Sequence, residues 1–133
     1  MYSLRSANYK DIEQMQAVLT RIYGANGYGT ELKAYIDLTM SGKAIVRVLE
    51  CRGEFVGFIA MYRDFDLEEG FIAHCYVMEQ ERQKIGVNRR LLKLIRCFMS
   101  GLKVVVQLDR AHVKMALKNH LEHIENQEYF LRV

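Results

Sequence analysis

The sequence predicts a mixed α/β (α+β) domain: a mainly antiparallel central sheet of about six to seven strands, flanked by about four helices. Three observations lead there. The run Gly70–Met78 is apolar and rich in aromatic and β-branched residues, as a buried strand is. After a short polar link, Leu91, Leu94, Ile95, Phe98 and Met99 recur at helical spacing, with Arg89, Arg90, Lys93 and Arg96 mostly on the opposite face. Cys51-Arg-Gly-Glu54 joins two strand-like runs as a hairpin turn would.

Taken in order, Tyr2–Ser6 alternates and reads as a first strand. Asn8 is placed to cap a helix, with the acidic Asp11 three residues on. Ile12, Met15, Val18, Leu19 and Ile22 mark one face of that helix. Gly24-Ala-Asn-Gly-Tyr-Gly29 follows; no strand precedes its three glycines, so they read as a connection between helices, not a nucleotide loop. Thr30 opens a second helix with Leu32, Tyr35, Ile36 and Met40 near its apolar face, and Ser41-Gly42 ends it.

Ala44–Glu50 and Phe55–Tyr62 are the hairpin strands, the second apolar on both faces as a central strand would be. Arg63–Glu69 turns the chain into Gly70–Met78, making a three-stranded meander. Glu79–Arg82 is a polar link, and Gln83–Asn88 is a glycine-bearing turn without an acidic residue. The basic helix stops at Ser100-Gly101, and Lys103–Leu108 is another buried strand. The strand–helix–strand order makes it parallel to Gly70–Met78. Ala111–Leu121 reads as a helix and Gln127–Val133 as a last strand.

The chain's 133 residues make a single domain, 1–133, long enough to bury a core. Half are hydrophobic and 26% charged, as in ordinary globular proteins. A net charge of +3 suits an anionic ligand without calling for nucleic acid. The basic residues between Arg82 and Leu108, where no acid occurs, read first as a solvated helix face. The three cysteines lack metal-ligand spacing and are expected to be reduced thiols. No metal is expected. Neither a signal-peptide pattern nor a membrane-length apolar run occurs, so a cytoplasmic protein without a membrane partner is expected.

The chemistry centres on the segment from Gly70 to Leu92. A helix N-terminus following a glycine-bearing turn offers unpaired backbone N–H groups and a positive dipole end, which suit phosphate. Lys84, Arg89 and Arg90 add charge there. An ordinary loop before a solvated basic helix has the same spacing. On the strand, Ile72, His74 and Tyr76 are expected to share one face, and His74 is the side chain that titrates near neutrality.

Gln83, Gly86 and Asn88 stand where motif A of the GNAT superfamily of N-acetyltransferases has Gln or Arg, Gly, and Gly or Ala. The segment resembles that motif, with Asn88 departing from the small residue usual there. The opening strand with Arg5, the capped helix with Asp11-Ile12, and the order of elements extend the resemblance over most of the chain.

The resemblance implies an acetyl-coenzyme A-dependent N-acetyltransferase, moving an acetyl group directly to an amine of a protein or small molecule. By that likeness, Val77 and Met78 position the pantetheine arm. Gln83, Lys84, Ile85, Gly86, Val87, Asn88 and Arg89 hold the pyrophosphate. His74 is the candidate base, with Glu68 and Glu69 as alternatives through water. The tyrosine that often protonates the leaving thiolate is missing near Asn119, so Tyr129, or His120, stands in as candidate acid. Tyr23 and Tyr28 border the implied acceptor site. Asn88 and the missing tyrosine also suit an alternative: a catalytically inactive GNAT fold with a binding or structural role, at home in a phage genome. A homodimer is among the assemblies the sequence allows.

Overall fold

The computed structural model describes residues 1–24, 26–82, 84–107, 113, 116–117, 121–124 and 128–131. The predicted sheet is present, with seven strands in the order β1-β2-β3-β4-β5-β7-β6. They are β1 (Tyr2–Ser6), β2 (Ala44–Cys51), β3 (Glu54–Asp64), β4 (Glu69–Val77), β5 (Lys103–Gln107), β6 (Leu121–Ile124) and β7 (Glu128–Leu131). Every neighbouring pair is antiparallel except β4 and β5, which are parallel as the strand–helix–strand order requires.

Helices α1 (Ile12–Tyr23) and α2 (Tyr28–Leu38) cover one face of the sheet, and α3 (Ile85–Phe98) covers the other. On the α1/α2 side, Met15, Val18, Leu19 and Leu32 pack on Val46, Val48, Phe58 and Ala60. On the α3 side, Val87, Leu91, Ile95 and Phe98 pack on Leu49, Ile59, Met61, Ile72, Cys75 and Val77. Val113, Ala116 and Leu117 are helical and buried in this second core. The rest of the helix expected over 111–121 lies outside the described residues.

Local sequence explains most boundaries. Asn8 and Asp11 form a reciprocal capping box over a short 3-10 turn, Tyr9–Asp11, that leads into α1. The guanidinium of Arg5 clamps Asp11 at 2.8 and 2.9 Å and reaches Glu50 at 3.1 Å. Arg52 and Gly53 both have positive φ, 55° and 80°, as a two-residue hairpin of the type I′ kind demands.

Three expectations are corrected. Helix α2 starts at Tyr28, not after Thr30, because Gly27 turns the chain at φ 102° and serves as N-cap. Within the stretch expected as a turn, Gln83–Asn88, the residues from Ile85 are helical: α3 starts there, and the amides of Val87 and Asn88 both bond to the Lys84 carbonyl, at 3.1 and 3.2 Å. Leu121 opens β6 rather than closing a helix, and β6 forms a hairpin with β7. That four-residue strand, Leu-Glu-His-Ile, is too short to show an alternation.

Candidate functional site

A bulge in β4 shapes the site. Ala60 pairs with His74 and the next residue, Met61, pairs with Ile72, so Ala73 is an extra residue on β4. The bulge reverses the facing of everything before it. Ile72 therefore lies in the α3-side core with Cys75 and Val77, not beside His74 and Tyr76 as strict alternation predicts. His74 and Tyr76 rise on the α1/α2 face.

A bulge also bends and twists its strand, and here β4 leaves its parallel neighbour. Glu69, Gly70 and Phe71 pair with Lys103, Val104 and Val105. Among the described residues no further pair joins the two strands, although β4 runs to Val77. The Met78 amide bonds back to the Val56 carbonyl at 2.9 Å. Since successive residues of a strand point their backbone groups to opposite sides, those of Cys75 and Val77 face the opening. The Val77 carbonyl accepts from Arg82 Nε at 2.8 Å, which draws Arg82 across the end of the strand. Val77 thus offers its N–H to the opening, whereas the amide of Met78 is taken.

Beyond β4, a 3-10 turn at Glu79–Glu81 leads to the start of α3. No side chain caps that helix and no acidic residue lies in its first turn. The amides of Ile85 and Gly86 therefore head the helix at its positive end. Gly86 is not in a left-handed conformation. Its missing side chain makes room for the Tyr2 ring, which a Cβ would meet at 3.3 Å. The Tyr2 hydroxyl donates to Glu81, and Lys84 Nζ lies 3.1 Å from the same carboxylate. These two partners hold the Glu81 carboxyl below its usual range, and Glu81 raises the Lys84 ammonium above its own. A cavity of about 520 Å³ opens here, with Tyr2, Arg52, Met78, Glu81 and Lys84 on its wall.

Of the other residues singled out in the sequence, Val87 is fully buried under α3, Asn88 is half-buried and Arg89 is exposed. Gln83 and His120 lie outside the described residues. Tyr129 is on β7, paired with Val106 of β5 and His123 of β6. Glu69 opens β4, roughly 25 Å along the strand from Val77, and Glu68 stands in the turn just before it. Cys75 faces away from His74, and burial pushes its thiol up to about 12. Cys97 is exposed.

His74 is the one polar residue in the buried core of the described chain. Its Nε2 lies 2.9 Å from Glu31 Oε1 on α2, and the Tyr28 ring meets it edge-on at 6.0 Å. Tyr23 lies 6.0 Å from Tyr28. Arg21 on α1 donates to the Tyr76 hydroxyl at 3.3 Å. The sequence reading missed Glu31. Its signal was helical spacing: Tyr28, Glu31 and Tyr35 recur at three and four residues, which sets a carboxylate on an aromatic face.

No family model and no curated protein matches the sequence. Solved structures do match the fold. A GNAT-family acetyltransferase from Staphylococcus aureus Mu50 superposes with a TM-score of 0.70 at 9% identity, covering 98% of both chains. The fold is that of the GNAT acetyltransferases. Two more GNAT-fold structures are similar. The PaiA N-acetyltransferase of Thermoplasma acidophilum, in complex with coenzyme A, has a TM-score of 0.68 at 15% identity over 98% of this chain and 97% of its own. The Salmonella typhimurium acetyltransferase that modifies the N-terminal serine of ribosomal protein L7/L12 has a TM-score of 0.65 at 15% identity, over 99% and 94%. No helix among the described residues is long and apolar enough to cross a membrane. None of their His, Cys, Asp and Glu form a group of three or more that could hold a metal.

Proposed function

We propose that this protein is an acetyl-coenzyme A-dependent N-acetyltransferase that moves the acetyl group directly to an amine. One observation carries the reading: among the described residues β4 has no ladder partner on the β5 side beyond Phe71, and this edge, with the Val77 N–H on it, runs toward an uncapped helix N-terminus at Ile85–Gly86. An amide-bearing pantetheine arm fits such an edge by strand-like hydrogen bonding, and a pyrophosphate fits such a helix end. The neighbour from Thermoplasma acidophilum was solved with coenzyme A, which supports that substrate for this fold.

Lys84, Arg89 and Arg90 supply positive charge at the helix start. Glu81 offsets part of it, so phosphate binding draws Lys84 away from Glu81 or shares it. Val77 holds the arm through its N–H. In the transfer, the amine nitrogen attacks the thioester carbonyl carbon, the C–N bond forms, the C–S bond breaks, and the thiolate leaves. Tyr129, one strand beyond β5, is the candidate to protonate that thiolate. His74 is sealed from solvent, and its contribution runs through its partner on α2.

Calorimetric titration with acetyl-coenzyme A tests the reading. Micromolar binding is expected, and absence of binding at millimolar ligand would overturn it. Binding without turnover over a range of amines would instead favour the inactive, binding form of the fold, for which the Glu81 carboxylate beside the helix end is the structural argument.

A further inference from the structure

His74 and Glu31 form a pair that neither strand nor helix needs. The imidazole reaches across to a carboxylate 43 residues away in the chain. The two members differ in access. The His74 side chain is 0% exposed, whereas 31% of the Glu31 side chain reaches solvent. A small molecule arriving from outside therefore meets Glu31 and not His74.

The surroundings favour a cation there. Glu31 lies in the first turn of α2, where the helix dipole favours a carboxylate, and no side-chain cap competes for that end. The faces of tyrosine rings attract ammonium groups, and Tyr28 and Tyr23 stand beside the pair. Other groups on the described elements around His74 are Tyr76 on β4 and, through its hydroxyl, Arg21 on α1; Phe58 of β3 also packs on it. His74 is also the first residue after the Ala73 bulge, just past the point where β4 and β5 stop pairing. A thioester lying along the open edge of β4 would come alongside this pair.

We propose that Glu31 is a further catalytic residue, the group that binds the acceptor as an ammonium and takes its proton, and that His74 is a positioning residue that holds the Glu31 carboxylate. The proposal rests on the acetyl-transfer reading. The ammonium R–NH3⁺ gives one proton to Glu31. The free amine attacks the thioester carbonyl, coenzyme A leaves as the thiolate, and the second proton lost from nitrogen restores the thiol. Glu31 then releases its proton to solvent, so the balance is ammonium plus acetyl thioester to amide, thiol and one proton.

The test uses n-butylammonium as the probe and the His74 imidazole C–H resonance as the readout, with n-butanol as an uncharged mimic of similar shape. A saturable shift with butylammonium, absent with butanol and lost in Glu31→Gln, is expected. The same shift from butanol, no shift in folded wild type, or an unchanged shift in Glu31→Gln would overturn the proposal. If Glu31→Gln does not fold, the contrast between butylammonium and butanol in wild type decides.

In turnover with butylamine, Glu31→Gln is expected to lower kcat/KM by about 100-fold or more near neutral pH, with the loss shrinking as pH rises and more of the amine arrives already deprotonated. His74→Gln keeps an N–H toward Glu31 and should stay within about tenfold of wild type, whereas His74→Leu should fall toward Glu31→Gln. Equal losses in the two His74 variants would overturn the positioning role. Titration of acetyl-coenzyme A into Glu31→Gln separates the two readings. Wild-type binding is expected to be retained. If neither protein binds it while butylammonium still shifts His74, the transfer reading falls and takes the role of base with it, leaving an ammonium site.

Discussion

Replacing Ile85 with Asp should leave the fold intact and weaken acetyl-coenzyme A binding by about fivefold. Ile85 is the first residue of α3 and is 68% exposed, so its side chain buries only about a third of its surface. Losing that burial costs about 0.5–1 kcal/mol. An acidic residue in the first turn of a helix returns about 0.3–1 kcal/mol, so net stability should move by less than about 0.5 kcal/mol. Binding should move further. A pyrophosphate bonded to the amides of Ile85 and Gly86 would sit about 7 Å from the new carboxylate, a hydrogen bond plus an aspartate side chain away. At an effective dielectric of about 40, each like-charge pair at that distance costs about 1.2 kcal/mol, and two phosphate charges double it. Screening at physiological salt removes more than half, leaving about 1 kcal/mol, or about fivefold in Kd.

Isothermal titration measures the binding and urea unfolding the stability. The uncharged Ile85→Asn should bind within about twofold of wild type, and the gap between Asp and Asn should close at 1 M salt, where the screening length is about 3 Å. Equal affinities of the Asp and Asn variants at low salt would refute the reasoning, because the anion would then lie elsewhere than this helix end.

Two glycines within the sheet, Gly57 on β3 and Gly70 on β4, predict a contrast. A Cβ on Gly57 would fall 2.3 Å from the Tyr76 carbonyl and 3.2 Å from Val77 Cα, both backbone; Gly57→Ala should cost about 1–3 kcal/mol in urea unfolding and disturb β4 at the opening. A Cβ on Gly70 meets the end of the flexible Met99 side chain at 1.9 Å, so Gly70→Ala should cost less. Hydrogen bonding to Arg5, aided by the Asn8 amide, holds the Asp11 carboxyl below its usual range. A depressed folded value stabilises above the unfolded pKa of about 4 and loses that contribution as pH falls through the lower, folded value. Asp11→Asn should therefore cost about 1 kcal/mol at pH 7 and flatten the acid limb of a stability–pH profile. A thiol reagent at pH 8 should label Cys97 first and Cys51 more slowly, and should reach Cys75 only on unfolding, since that thiol is buried and pushed up to about 12.

The elements that were legible in the sequence are those in which each residue reports its own environment. The apolar period of α3, the alternation of β1 and the Arg-Gly hairpin each carry the geometry in local side chains, and all three stand as expected. What was not legible depends on partners far away in the chain. One extra residue at Ala73 sends Ile72 to the opposite face from His74, and only the register against β3 reveals it. Gly86 suggests a close approach of a ligand, but the group beside it is Tyr2, 84 positions earlier. Glu31 reads as an ordinary helix-start acid until β4 brings His74 beneath it. The same bulge lies behind all the site's geometry. It sends Ile72 to the α3 side while His74 faces α2, and it bends β4 away from β5, so a single inserted residue lies behind both the split facing of the strand and its open edge. Deleting Ala73 should then undo both together, restoring alternation and extending the β4–β5 ladder past Phe71. If amide exchange in such a variant showed the ladder no longer than before, the bulge would not be what holds the two strands apart.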